Sequence, residues 1–108
     1  MSDPPIASRG EVWLADLQGD KIRPVVVMTR GSVAPHLHSV IAAPVTTRIR
    51  GIPTEVTLSE SEGVRRESVA NFDNLQLVDR RSLVAPIGRL GQEKLAQACW
   101  ALRYAVGC

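Results

Sequence analysis

The chain has 108 residues, the size of one domain, and its hydrophobic content of 44% argues against a disordered protein. A net charge of +2 is too weak for a basic nucleic-acid-binding tail, and no apolar run approaches the roughly 20 residues of a membrane span. The polar N-terminus does not have the pattern of a signal peptide. We therefore expect a cytoplasmic protein with a flexible leader at residues 1–8 and a single domain at residues 9–108.

Short apolar runs separated by glycine and proline predict five to seven β-strands. Pro44 interrupts one run and predicts a bulge or the end of pairing there. In another, Glu55 and Thr57 alternate with apolar residues and are expected to point outward. Arg80 is expected in a single helical turn at residues 79–82. The strand candidates are Glu11–Leu17, Pro24–Thr29, Ser39–Val45, Glu55–Leu58, Glu67–Phe72, Asn74–Val78 and Leu83–Leu90.

After the last strand, the period of the apolar residues changes to three and four, which predicts an amphipathic helix at Gln92–Val106. Trp100 and Tyr104 lie one turn apart, off the main apolar stripe, and are expected to pack on each other. They would serve either as a dimer contact or as a small core cluster under a loop. The elements together predict a mainly β (α+β) fold, a small antiparallel barrel or curled sheet with a C-terminal helix.

Arg23 is the first candidate for chemistry, because Pro24 pushes its backbone into an extended conformation at the mouth of an apolar strand. A rigidly held arginine suits the charge that develops on a phosphate during transfer. The alternative is a rim arginine paired with Asp16, Asp20 or Glu67. Of the 13 basic residues, 11 are arginine, which suits phosphate binding but also follows from a GC-rich genome.

A second cluster follows the third strand, where two threonine hydroxyls stand beside two arginines. Hydroxyl and guanidinium groups together can hold a phosphodiester. Polar residues amid apolar ones further along, among them Asp73, either read nucleotide edges or satisfy strand ends. The candidate binding residues are Lys21, Thr46, Thr47, Arg48, Arg50, Asn74 and Gln76.

The remaining reactive residues give little evidence of a catalytic or metal site. His36 and His38 lie in a predicted loop, and two histidines at that spacing are a weak acid–base pattern. Cys99 and Cys108 have no histidine or cysteine neighbour at metal-ligand spacing. No phosphate-binding glycine loop, zinc-protease motif or serine-nucleophile motif is present.

An ordered set of short motifs resembles the MazF/PemK family of toxin ribonucleases. The resemblance spans roughly residues 9 to 106. The motifs are Arg9-Gly10-Glu11-Val12-Trp13, Arg23-Pro24-Val25-Val26-Val27, Pro44-Val45-Thr46-Thr47, Pro53-Thr54-Glu55-Val56, Glu67-Ser68-Val69-Ala70, Asp73-Asn74-Leu75 and Pro86-Ile87-Gly88-Arg89-Leu90.

This resemblance implies an SH3-like barrel, a homodimer and a sequence-selective endoribonuclease that needs no metal or other cofactor. It also implies a cognate MazE-like antitoxin whose C-terminal tail occupies the groove for single-stranded RNA. By motif, the family's catalytic arginine falls on Arg23 and its catalytic threonine on Thr46, with Thr47 as the rival. The substrate's own 2′-OH would attack the adjacent phosphate, leaving a 5′-OH product.

The chain departs from the family in the segment before Arg23, where Gln18 to Ile22 is only five residues long. A glutamate that many members carry in a longer loop has no counterpart unless Asp20 replaces it. We expect an altered sequence preference. Two other functions stay open: a CcdB-like toxin that binds DNA gyrase without catalysis, and an inactive homologue that only binds antitoxin or RNA.

Overall fold

The computed structural model describes residues 4–17, 21–31 and 37–107, and in these ranges the chain forms seven strands and one α-helix. Three single turns of 3-10 helix, including one at Arg80–Ser82, link the later strands. The elements are β1 (Glu11–Asp16), β2 (Ile22–Val27), β3 (Ser39–Thr46), β4 (Glu55–Leu58), β5 (Ser68–Asn71), β6 (Gln76–Asp79), β7 (Leu83–Arg89) and α1 (Gln92–Val106).

The strands form one antiparallel sheet in the order β4-β5-β3-β2-β1-β7, with β6 paired to β3 beside this path. One edge of β3 serves two partners: β6 pairs with Ser39–Ala42, and β5 pairs with Val45 and Thr46. Pro44 lies in the gap between these pairings, while its opposite edge faces Val25 of β2. The strand therefore continues through the proline. Its paired neighbour on this edge changes from β6 to β5, and this change of partner curls the sheet.

Both faces of the central strands are buried, which explains the continuous apolar run of β2. Val26 and Met28 belong to a core between the sheet and α1, where Ala98 and Ala101 are the buried helix residues. Val25 and Val27 belong to a second core on the opposite face. The other large members of the second core are Trp13, Val40, Val78 and Leu83.

The predicted mainly β fold with a C-terminal helix is confirmed, and the helix has the bounds expected from its periodicity. β2 begins two residues earlier than predicted, so Arg23 lies inside the strand, opposite Ala15 of β1. Within the described ranges, no helix is long and apolar enough to cross a bilayer.

Residues 4–8, part of the leader expected at residues 1–8, pack against the rest of the chain. Ala7 is fully buried in the second core. The guanidinium of Arg80 donates hydrogen bonds to the carbonyl oxygens of Pro4 at 3.1 Å and Pro5 at 2.9 Å. These contacts fix the segment to the turn before β7.

Candidate functional site

A groove of about 420 Å³ opens where β2 begins and β3 ends, and most of the predicted site residues converge on it. Sheet register explains the convergence, because paired residues of neighbouring strands share a face and faces alternate along a strand. Arg23 lies two residues before Val25, whose partner is Pro44, and Thr46 lies two residues beyond Pro44. Arg23 and Thr46 therefore share the face that carries the second core, just past its edge.

Seven of the eight predicted site residues line the groove. Thr47 does not line it; its side chain is exposed on the following turn. The groove residues that sequence reasoning did not identify are Leu17, Pro44, Val45 and Asn71. Those it did identify are Lys21, Arg23, Thr46, Arg48, Arg50, Asn74 and Gln76.

The groove is electropositive. Lys21, Arg23, Arg48 and Arg50 line it, and none of its described lining residues is Asp or Glu. Within the described part of the chain, the guanidinium of Arg23 makes no ion pair with Asp16 or Glu67, while Asp20 lies outside the described residues. Among the described residues, Arg23 therefore lies on a paired strand without a carboxylate partner.

The Thr46 hydroxyl has a defined role in the turn. Its oxygen accepts a hydrogen bond from the backbone N–H of Arg48 at 3.1 Å. A hydroxyl that accepts in this way keeps its own proton, which is available for donation into the groove. The arrangement places one donor on β3 facing the Arg23 side of the groove.

A set of amide side chains forms another part of the wall: Asn71 at the end of β5, Asn74 in the following turn, and Gln76 at the start of β6. Asn71 is only 2% exposed, and its side-chain oxygen accepts from the N–H of Asp73 at 2.9 Å. A polar residue in the otherwise apolar Val69–Phe72 run is the sequence signal that could have identified it.

The neighbouring Asp73 has a structural role. Its carboxylate accepts a hydrogen bond from the Thr54 hydroxyl at 2.7 Å, which ties the turn carrying Asn74 to the loop before β4. Of the two interpretations of Asp73, the structure supports the one in which it satisfies a strand end.

Glu55 corrects a prediction. Its side chain was expected to point into solvent, but it is 2% exposed. One carboxylate oxygen accepts from the backbone N–H groups of Arg50 and Gly51, and the other lies 3.7 Å from the Arg50 Nε. The loop after β3 folds back over the start of β4 and covers this carboxylate.

Of the two histidines, only His38 lies among the described residues, and it does not line the groove. His38 lies at a separate apolar surface beside Ile41, and His36 is outside the described residues, as are the short segment at 18–20 and Cys108. Within the described ranges, no three His, Cys, Asp or Glu side chains cluster as metal ligands would.

The fold and the groove define a class: a curled β-sheet with a helix on one face and, at one end of its central strands, a groove lined by arginine and threonine. Residues 8–106 match the family model described as the PemK-like, MazF-like toxin of type II toxin–antitoxin systems. The chain therefore belongs to the PemK/MazF-like toxin family.

Named relatives agree with this assignment. The chain is 38% identical over 104 residues to the probable endoribonuclease MazF5 of Mycobacterium tuberculosis, covering 95% of each protein. It matches the structure of the Mycobacterium tuberculosis toxin MazF-mt6 with a TM-score of 0.84 and 36% identity, covering 90% of this chain and 96% of that one. A mycobacterial endoribonuclease solved in complex with its cognate antitoxin matches with a TM-score of 0.83 and 27% identity, covering 94% and 95%.

Proposed function

We propose that this protein is the toxin of a type II toxin–antitoxin system, and that it cleaves single-stranded RNA as a metal-independent endoribonuclease in the cytoplasm. The observation that carries the proposal is the groove, which joins four basic side chains to the Thr46 hydroxyl with no described carboxylate in its lining. Family membership and the endoribonuclease names of the relatives support the same activity.

The reaction requires no protein nucleophile. The 2′-OH of the nucleotide before the scissile bond attacks the adjacent phosphorus, and the bond from phosphorus to the 5′ oxygen breaks. The 2′ oxygen loses its proton and the leaving oxygen gains one, so the products are a 2′,3′-cyclic phosphate and a 5′-OH end. In this mechanism Arg23 stabilises the charge on the nonbridging oxygens, and Thr46 donates a hydrogen bond to one of them.

The remaining groove residues divide into two roles. Lys21, Arg48 and Arg50 contact the flanking phosphates, which supply affinity without sequence information. Asn74 and Gln76, together with Asn71, present amide groups to base edges, because an amide can both donate and accept. Thr47 would contact RNA only from the rim of the groove.

A cognate MazE-like antitoxin is the natural inhibitor in this account. One of the structural matches is an endoribonuclease bound to its cognate antitoxin. We infer that the antitoxin's C-terminal tail occupies this groove and excludes RNA from it.

We also infer a homodimer, formed through an apolar surface on the sheet face opposite the groove. Ile41 and Leu77 are cross-strand partners on β3 and β6, 44% and 72% exposed, at the edge of a cavity of about 700 Å³ that Leu75 and Leu102 also line. This surface continues the face that α1 covers further along the sheet. A second copy would bury it, and exposed apolar patches commonly mark such interfaces.

The aromatic pair on α1 lies elsewhere. Trp100 and Tyr104 stack as predicted, with ring centroids 5.2 Å apart, and both are more than half exposed. That exposure does not fit a core cluster under a loop. Leu102 lies about 200° around the helix from Trp100, so one flat interface cannot contain both.

Replacing Leu77 by glutamate is expected to convert a dimer into a monomer at micromolar concentration, because two buried carboxylates would face each other across the symmetric interface. Sedimentation velocity provides the measurement. Val84→Glu is the matched control, since Val84 is a 53% exposed valine on β7, outside this surface. A wild-type protein that sediments as a monomer, or a Leu77→Glu variant that remains dimeric, would contradict this interface.

The CcdB-like alternative is not favoured, because the chain matches the PemK/MazF-like family over residues 8–106. The activity itself is tested by incubating the purified protein with a long mixed-sequence RNA in EDTA and mapping the cut ends. We expect discrete cuts that leave 5′-OH ends. Intact RNA from a protein that is toxic on expression would contradict the proposal.

A further inference from the structure

We propose that the buried carboxylate of Glu55 sets the geometry in which Arg48 and Arg50 bind RNA phosphates, and that Glu55 is therefore a positioning residue. Its role rests on the RNA cleavage proposed above, because RNA is what the two arginines would hold. Glu55 itself does not line the groove.

The contacts fix the backbone of the loop at one point. The Oε1 of Glu55 accepts from the N–H of Arg50 at 2.9 Å and from the N–H of Gly51 at 2.8 Å. Its Oε2 has no hydrogen-bond partner among the described residues and lies 3.7 Å from the Arg50 Nε. Hydrogen bonds to an ionised carboxylate are roughly twice as strong as neutral ones. The carboxylate therefore fixes both the chain direction at 50–51 and the side of the loop on which Arg50 lies.

The same loop is also fixed at its two ends. The Thr46 hydroxyl accepts the N–H of Arg48, and the N–H of Glu55 donates to the carbonyl of Ile52 at 3.0 Å. The backbone N–H of Arg48 is itself held by the Thr46 contact, and only Ile49 separates it from the backbone that Glu55 holds. The cross-strand partner of Glu55 is Asn71, which lines the groove. Losing the carboxylate would free the middle of the loop while leaving its ends on β3 and β4.

An electrostatic role and a positioning role of Glu55 predict opposite changes in RNA affinity when the carboxylate is removed. A carboxylate beside an anion groove opposes RNA binding through its charge, so on electrostatic grounds its removal should strengthen binding. If Glu55 instead holds the arginines in place, its removal should weaken binding. For a single-stranded nucleic acid, each phosphate that the protein ceases to neutralise also lowers the slope of log affinity against log salt by about 0.7.

Three substitutions of Glu55 separate the effect of side-chain length from the effect of charge. Glu55→Ala removes both the carboxylate oxygens and the charge. Glu55→Gln keeps an oxygen that can accept both N–H groups but loses the charge, and Glu55→Asp keeps the charge but is one methylene too short. Glu60→Ala is the charge-matched control, because Glu60 is an exposed glutamate in the turn after β4 and does not line the groove.

The measurement is affinity for an RNA oligonucleotide, made uncleavable by 2′-O-methyl groups, over a series of salt concentrations. We expect Glu55→Ala and Glu55→Asp to bind about tenfold more weakly with a slope lower by about 0.7 to 1.4, which corresponds to one or two phosphates. Glu55→Gln should stay within about threefold of wild type because its amide oxygen can still accept both N–H groups. Glu60→Ala should bind as tightly as wild type or slightly tighter.

The positioning role is overturned if Glu55→Asp binds like wild type, if Glu55→Gln binds as weakly as Glu55→Asp, or if all three variants bind more tightly. The comparison of the Asp and Gln variants decides the question even if Glu55→Ala fails to fold. Cleavage of unmodified RNA by the wild-type protein is scored separately. Wild-type protein that binds RNA without cutting it would contradict the proposed function, while the Asp and Gln comparison would still test the positioning role.

Discussion

Replacing Arg23 by alanine is expected to lower the kcat of RNA cleavage by about 100- to 1,000-fold, or roughly 3–4 kcal/mol of transition-state stabilisation. The strand fixes Arg23 opposite Ala15, and no described carboxylate competes for its guanidinium. KM should change little, because Lys21, Arg48 and Arg50 remain to bind the uncleaved RNA. Steady-state cleavage of one defined oligonucleotide over a range of concentrations measures both quantities.

Arg89→Ala is the matched control for this prediction, since Arg89 is an exposed arginine at the end of β7 and does not line the groove. Arg23→Lys should recover part of the rate, because it restores the charge but not the planar fork. An Arg23→Ala protein that cleaves at the wild-type rate would remove Arg23 from the mechanism. If cleavage were lost equally in Arg89→Ala, the loss would reflect net charge instead of the site.

Thr46→Val is expected to lower kcat about 100-fold, as the loss of one hydrogen-bond donor to the transition state does in other enzymes. Valine matches the shape of threonine but has no hydroxyl, so it removes both the donor and the acceptor of the Arg48 N–H. Thr46→Ser keeps the hydroxyl and should stay within about tenfold of wild type. The same oligonucleotide assay provides the measurement.

Thr47→Val tests the rival assignment. Thr47 is exposed and does not line the groove, so its substitution should change kcat by less than about twofold. A larger loss in Thr47→Val than in Thr46→Val would move the hydrogen-bond donor to Thr47.

Features set by neighbouring residues were predictable from the sequence. The three-and-four spacing of α1 predicted its bounds as Gln92–Val106, and the valine run after Pro24 predicted an apolar strand, which is buried on both faces. Arg23 and Thr46 could be identified because their motifs also resemble those of the family. Their proximity, however, depends on the register between β2 and β3, which no local pattern specifies.

Features set by distant contacts were not predictable. Alternation along β4 placed Glu55 outward, but the loop after β3 folds over it, and alternation describes only the two faces of a strand. Asn71 was missed because its place in the groove arises from the pairing of β5 with β4 and β3. Ile41 belongs to an apolar run, and its 44% exposure follows from where α1 stops covering the sheet.

In the proposed mechanism, the RNA's own 2′-OH is the nucleophile, in a groove lined by Arg23 and Thr46. The most direct test uses two oligonucleotides of the same sequence in EDTA, one all-ribose and one with a single 2′-deoxy nucleotide before the mapped cut. We expect the first oligonucleotide to be cut to a 5′-OH end and the second to be bound but left intact. Cleavage of the deoxy-substituted strand at the same bond would contradict it.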